Sequence, residues 1–553
     1  MPDILRNVSP VVEYCGAEFP EAGNSLPESR AAIFRRELRK ERLILLRGLF
    51  TAENFLGPLV RFATQLFTKS KTGLTHATGQ QLLGFGPSPD FGSCDIVAHL
   101  NSSSASLARR DRSPSLWQPL LVTGASLILA VRLFRQVSQY AVNIFFSDQW
   151  DVDNATLFQR HSLWEMFRWQ YGPHRQGVGA LFSKLVEPHF QWNSRVEAIL
   201  ATAVVVAAAL CAFYLKTRLW GPVSLSDCAI GLIFFTPAQF ESLWITPNFA
   251  HGPLPLLLVV LYCLALTCER AVTRYTLALI VNFLAIYTGF ALFIGLITPA
   301  WLLLEYYLRR RAGLPSNFIF IPVVLSLVSL GSFFVGYNFA VLADCSSVQP
   351  RSPTEYLVFV CLLLAHFFGA RGSRFFVSIP MGSAILAAMI WTLISFSKRW
   401  RESKNYTGRD FVPAVLVGFC LLFCAATAHG RTCFGRSMAF SSRYTDYVAL
   451  GILGLYFQAL GVRAEWPRKI CPAFVVVMLL VGSVQLTPSD LYIMHLFHDT
   501  KANWRRCYLR TEDVQECDQA TGSWVYPWPE RTHLKEKLEF LKQTRQNLYS
   551  SVN

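Results

Sequence analysis

Residues 196–215 read VEAILATAVVVAAALCAFYL, and Lys216 and Arg218 follow at once. Glu197 is the single charged residue in the run. A helix rises about 1.5 Å per residue, so a run of this length spans about 30 Å, the thickness of a bilayer's hydrocarbon core. In that solvent a single segment pairs its own backbone groups only as a helix. Residues 196–215 therefore read as a transmembrane helix.

Working outward, similar apolar runs occupy 117–136, 226–245, 253–268, 275–291, 292–307, 317–342, 354–369, 376–397, 411–429, 445–461 and 470–487. Several are short enough to require strong tilt or re-entry. The expected fold is an all-α polytopic membrane protein of roughly ten to twelve transmembrane helices. Composition agrees: 52% of the 553 residues are hydrophobic and only 16% charged. An ordinary soluble domain carries about 25% charged residues. The net charge of +15 sits in short clusters between the runs, such as Arg109–Arg112, Arg309–Arg311 and Lys398–Arg401. Clusters of that kind orient membrane helices and meet anionic headgroups, so the implied partner is the lipid bilayer rather than nucleic acid.

Three regions follow. Residues 1–112 read as a small soluble α/β region, placed in the cytoplasm by Arg109–Arg112, with a helix candidate in PESRAAIFRRELRKERL and a strand candidate at 43–46. Residues 113–487 form the bundle, and 488–553 form a polar tail. Lys216/Arg218, Arg270/Arg274 and Arg309–Arg311 alternate as inside loops, which leaves a large outside loop at 137–195. A strict count of runs then puts Lys398–Arg401 outside, against its charge. Removing one crossing between 317 and 397 restores it and leaves 430–444 and the tail outside. Most of the 14 cysteines lie within apolar runs, and Cys507 with Cys517 in the tail is the one plausible disulfide.

The outside loop carries the candidate chemistry. FFSDQWDVDNATLFQRHSLWEMFRWQYGPHRQG places Asp148, Asp151 and Asp153 within six residues at the mouth of the bundle, followed by His174 and Arg175. Grouped carboxylates suit a general base or a divalent cation, the latter through Asp148 and Asp153. Glu241, in IFFTPAQFESLWITPNFAHG, stands near the outer end of a run beside Trp244, Asn248 and His251. An acid at that depth faces a cavity or a partner, because lipid exposure is costly. Walker, GxGxxG, HExxH and GxSxG motifs are absent from the sequence.

The pieces Ser147-Asp148-Gln149-Trp150 and Pro173-His174-Arg175, with Gly430-Arg431-Thr432-Cys433-Phe434-Gly435-Arg436 and Ser441-Ser442-Arg443-Tyr444, resemble the multi-spanning glycosyltransferases of the C fold, in a bacterial, largely uncharacterised branch. The likeness covers about 140–460, and Gln149 stands where such transferases often carry a second acid. The resemblance implies a multi-pass protein of the plasma or inner membrane. It implies sugar transfer, with inversion, from a polyprenyl-phosphate donor to an acceptor on the outer face. Asp148, then Asp151, is the implied base, and His174, Arg175, Glu241, Arg431, Arg436, Arg443 and Tyr444 the implied substrate contacts. The rival readings are a transporter or lipid flippase and a non-catalytic scaffold. A segment at 38–66 also resembles the opening of the taurine-dioxygenase family, but the candidate ligand positions read His76-Ala-Thr and His99-Leu-Asn, which supply no iron triad.

Overall fold

The computed structural model describes residues 117–152, 161–339, 352–370, 375–402, 407–462, 465–484, 488–526 and 533–550. The expected soluble region at 1–112 and Asp153 lie outside these residues.

Helices dominate. In chain order those of seven or more residues are α1 (Trp117–Tyr140), α2 (Gly177–Leu185), α3 (Ser194–Trp220), α4 (Cys228–Phe234), α5 (Pro253–Leu266), α6 (Ala271–Ile286), α7 (Ile294–Arg311) and α8 (Phe320–Phe333). Then come α9 (Pro353–His366), α10 (Phe375–Glu402), α11 (Gly408–Arg431), α12 (Thr445–Gly461), α13 (Glu465–Val484), α14 (Pro488–Thr511), α15 (Val514–Thr521) and α16 (Leu534–Thr544). The sheet among the described residues is one hairpin, β1 (Gln170–Tyr171) with β2 (His174–Arg175).

Five helices are long and apolar enough to cross a membrane: α1, α3, α7 with the turn before it, α10 and α11 with the turn after it. Four shorter apolar helices, α5, α6, α8 with its leading turn and α9, span 10–17 residues each. α1 and α10 leave bulky apolar side chains such as Leu120, Leu121, Phe376 and Trp391 exposed. α11 is instead packed within the bundle through Phe419, Cys420 and Phe423. Apolar surface of the first kind calls for lipid rather than water as its solvent.

The run at 226–245 is not one helix. Thr236 is extended and Pro237 follows, so α4 ends at Phe234, a 3₁₀ turn spans Pro237–Gln239 and a π turn spans Glu241–Ile245. Proline has no N–H and disfavours helical geometry at the residue before it. The freed backbone groups find side-chain partners. Gln239 Nε2 donates to Phe234 O at 2.7 Å, Thr445 Oγ1 to Ala238 O at 3.1 Å, and Glu241 N to Ser442 Oγ at 2.9 Å.

The basic clusters at Arg309–Arg311 and Lys398–Arg401 gather at one end of the bundle. Arg311 Nη1 donates to Arg401 O at 3.3 Å, Arg399 pairs with Asp410 at 3.3 Å, and Arg409 donates to Leu219 O. The position of α9 bears on the conflict at Lys398–Arg401. The Tyr356 ring lies 6.3 Å from His429, and the His366 ring lies 5.8 Å from Phe440. Both partners belong to the opposite end, so α9 starts and finishes there.

The tail is not a loose appendage. α14 packs on α1, with the Tyr140 hydroxyl 3.2 Å from His495 Nε2. The buried Lys537 ammonium donates to Trp150 O. Asn547 gathers loop and tail. Its N–H donates to Gln191 O at 2.7 Å and its Nδ2 to Trp192 O at 2.6 Å, while its own carbonyl accepts from Asn143 Nδ2 at 2.7 Å. Cys507 and Cys517 form the expected disulfide, and Cys433 in the 430–444 loop is also disulfide-bonded.

Candidate functional site

Three segments meet at the end opposite the basic clusters: the first loop, the broken segment with the turn after it, and the loop between α11 and α12. Ser147 takes a positive φ of 52° and its N–H donates to Val525 O at 2.8 Å, which turns the chain so that Asp148 projects. Asp148 is 37% exposed and Arg443 Nη1 lies 3.6 Å from its Oδ2. Gln149 turns the other way. It is buried, takes the Phe146 N–H on Oε1 at 3.1 Å and donates to Glu197 Oε2 at 2.8 Å. A second acid at 149 would face Glu197, so the departure noted in the sequence has a packing cause.

Asp151 is held by two phenols. Tyr171 donates to Oδ2 at 3.1 Å, and the tail's Tyr526 lies 3.0 Å from both oxygens. Burial raises its pKa above the usual carboxylate value, against the lowering by these hydroxyls.

The hairpin sorts its two candidate residues to opposite faces. Tyr171 pairs with His174 and Gln170 with Arg175, and neighbours along a strand face opposite ways. His174 enters the site. Arg175 is buried behind it, donating to the Arg168, Phe333 and Val335 carbonyls among the rings of Tyr287, Phe333 and Tyr337, 5.3–5.9 Å from its guanidinium carbon. Every one of those contacts is to the protein itself, so Arg175 clamps the hairpin to the 333–337 segment.

His174 and His251 are hydrogen-bonded through their Nε2 atoms, with ring centroids 4.0 Å apart. The chain reaches His251 by a 3₁₀ turn capped by Asn248, whose Oδ1 accepts from Ala250 N at 3.0 Å. Gly289, at φ +54°, lies against the Ala250 carbonyl, where any Cβ would overlap it. Burial, reinforced by Arg443 and Arg431, lowers the His251 pKa to about 3. Burial, His251 and Arg431 take His174 well below its ordinary value. Both imidazoles are neutral at pH 7.

Glu241 and Arg443 complete the site. Glu241 Oε1 accepts from Arg443 Nε at 2.7 Å and also from its Nη2, while Oε2 accepts from Ser441 Oγ at 2.8 Å. Burial alone would lower the Arg443 pKa, but Glu241 and Asp148 carry it well above its ordinary value. Arg431 is half-buried over the Phe434 ring at 5.8 Å, and its guanidinium makes no ion pair or hydrogen bond among the described residues. Arg436 is exposed, and Tyr444 is buried with its ring 5.9 Å from Phe423.

Asp148, Asp151, His174, Glu241, Arg431 and Arg443 thus come together, whereas Arg175 and Tyr444 serve packing. Tyr171 belongs to the cluster and was not singled out from sequence, and His251 was named there only as a neighbour of Glu241. The expected cation pair, Asp148 with Asp153, includes a residue outside the described ones. Asp148 faces Arg443, Asp151 is taken by two tyrosines, and no three His, Cys, Asp or Glu side chains among the described residues are grouped to ligate a metal. No protein-family model matches the chain, and no curated protein matches it.

Proposed function

We propose that the chain is a multi-pass glycosyltransferase of the C-fold type, moving a sugar from a polyprenyl-phosphate donor to an acceptor on the outer face of the plasma or inner membrane. In this reading α1, α3, the broken 228–245 segment, α5–α8 and α10–α13 are passes and α9 re-enters, an odd number of passes that puts the tail opposite the basic clusters. One observation carries it: a half-exposed acid, Asp148, stands beside a charged Arg443, and His174 lies within the fields of both Asp148 and Arg431 at one junction of three segments.

Displacement at the anomeric carbon forms an acceptor oxygen–carbon bond and breaks the carbon–oxygen bond to phosphate. The acceptor's proton goes to the base, Asp148, and the electron pair goes to the leaving phosphate. Arg431 and Arg443 supply the positive charge that the leaving group needs. The neutral imidazoles cannot supply that charge, which leaves it to the arginines. Asp151, already committed to two tyrosines, orients the loop.

The test is a lipid-linked-sugar assay on purified protein in nanodiscs. Asp148→Asn is expected to fold normally and to lose transfer by roughly 10²-fold or more. Retained transfer in that variant overturns the assignment. A transporter reading draws on the broken segment and on Glu241 within it, since interrupted helices line pathways. Protein-dependent lipid movement across liposomes, with no turnover of any polyprenyl donor, favours it.

A further inference from the structure

At the basic end, a cavity of about 300 Å³ opens between the ends of α5 and α7 and the starts of α6 and α11. That is the lower end of the range for small-molecule sites, about 300–1,000 Å³. Leu266, Trp301 and Phe411 form its apolar wall, and Arg274, Glu305 and Arg309 its polar wall.

The polar wall is built. Glu305 is buried, and its Oε1 alone accepts from Tyr275 Oη at 2.7 Å, Arg274 Nη2 at 2.9 Å and Arg309 Nε at 3.1 Å. The Phe318 ring, 5.4 Å from the Arg309 guanidinium carbon, fixes its plane. Glu305 thus engages Arg309 through Nε, while Nη1 and Nη2 make no hydrogen bond among the described residues. A guanidinium held by one edge offers the other to two oxygens at once, the geometry of bidentate phosphate binding. Two arginines against one glutamate leave the cavity positive. Gly408, at the first turn of α11, borders the cavity, and that helix start is capped by Asp410, whose Oδ2 accepts from Thr407 N at 3.3 Å.

We propose that this cavity binds the phosphate of an anionic membrane lipid, with the adjoining hydrocarbon laid against Leu266, Trp301 and Phe411. Lipid is favoured over free phosphate by the apolar wall and by position. The cavity lies at the ends of helices long enough to cross a membrane, beside Arg310 and Arg311, where headgroups gather. The site is independent of the transferase reading.

The test uses the full chain, delipidated in detergent and titrated separately with dioctanoyl-phosphatidylglycerol, dioctanoyl-phosphatidylcholine and inorganic phosphate. Native mass spectrometry gives stoichiometry and thermal stability gives affinity. The expected result is one phosphatidylglycerol per chain, bound more tightly than either alternative and weakened roughly tenfold or more by Arg309→Gln. Ala312→Trp, which fills the cavity from the end of α7 without touching Glu305, is expected to abolish binding even if Arg309→Gln fails to fold. Unchanged binding in Ala312→Trp overturns the site. Equal binding of inorganic phosphate overturns the lipid as its source, and equal binding of phosphatidylcholine overturns the preference for anionic lipid.

Discussion

Glu241 and Arg443, 202 residues apart in sequence, are joined by a guanidinium–carboxylate pair in which Nε donates to Oε1 at 2.7 Å. Glu241 belongs to the broken segment and Arg443 to the loop before α12, so the pair closes the site across two parts of the bundle. Arg443 is 34% exposed, which tempers the pair's worth relative to a fully buried one. Glu241→Gln is expected to cost about 1–3 kcal/mol and Arg443→Gln a similar amount. The double variant is expected to cost less than the sum, because neither charge is then left alone. Thermal melts of the four proteins check this; strict additivity would show that the pair is not coupled.

Arg175 and Arg431 are expected to separate stability from activity. Arg175→Lys loses the fork that reaches the Phe333 and Val335 carbonyls, so it destabilises by about 1–3 kcal/mol. Transfer per folded molecule stays near wild type. Arg431→Ala removes a guanidinium with no ion-pair or hydrogen-bond partner among the described residues, so the melt stays put and transfer falls by roughly 10²-fold. The reverse pattern would exchange their roles.

Sidedness can be read by labelling. Arg436→Cys and Thr354→Cys, both at exposed positions, are expected to react with a membrane-impermeant maleimide from one side, and Arg310→Cys only from the other. Ala370→Cys, just beyond α9, is expected to report the same side as Thr354→Cys. Opposite sides for 354 and 370 would make α9 a crossing and restore the conflict at Lys398–Arg401.

The bundle was legible because bilayer thickness imposes a run length, but the break in 226–245 was not read, since the apolar composition runs straight through Thr236-Pro237. The path of α9 was not legible: 354–369 has a span's composition, and only contacts with His429 and Phe440 show where its ends lie. The candidate residues were found by type, but their directions were not. His174 and Arg175 are adjacent, and strands of two residues are too short to display an alternating pattern. The packing of the tail was hidden for a related reason. Lys537 and Asn547 look like solvated surface, yet both are buried because their donors meet carbonyls at 150 and 191–192. Polar residues that serve distant backbone groups carry no local mark of it.

Lys501 makes the last of these clasps measurable. It is buried on α14, donates to Ile245 O at 2.8 Å, and its ammonium lies 5.6 Å from the Phe146 ring. Burial lowers its pKa to about 7, although Glu197 pulls the other way. The unfolded chain holds this proton up to the ordinary lysine value of about 10.4, so between those two values the unfolded state binds more protons than the folded state. Stability attributable to Lys501 therefore rises with pH from about 7 upward, and the penalty is full below that. Wild type is expected to melt higher at pH 9 than at pH 7. Lys501→Met is expected to be more stable than wild type at pH 7 and to lose this slope. If instead the variant keeps the slope, the lysine is charged in the folded protein and its contact with Ile245 is an ordinary ammonium–carbonyl bond.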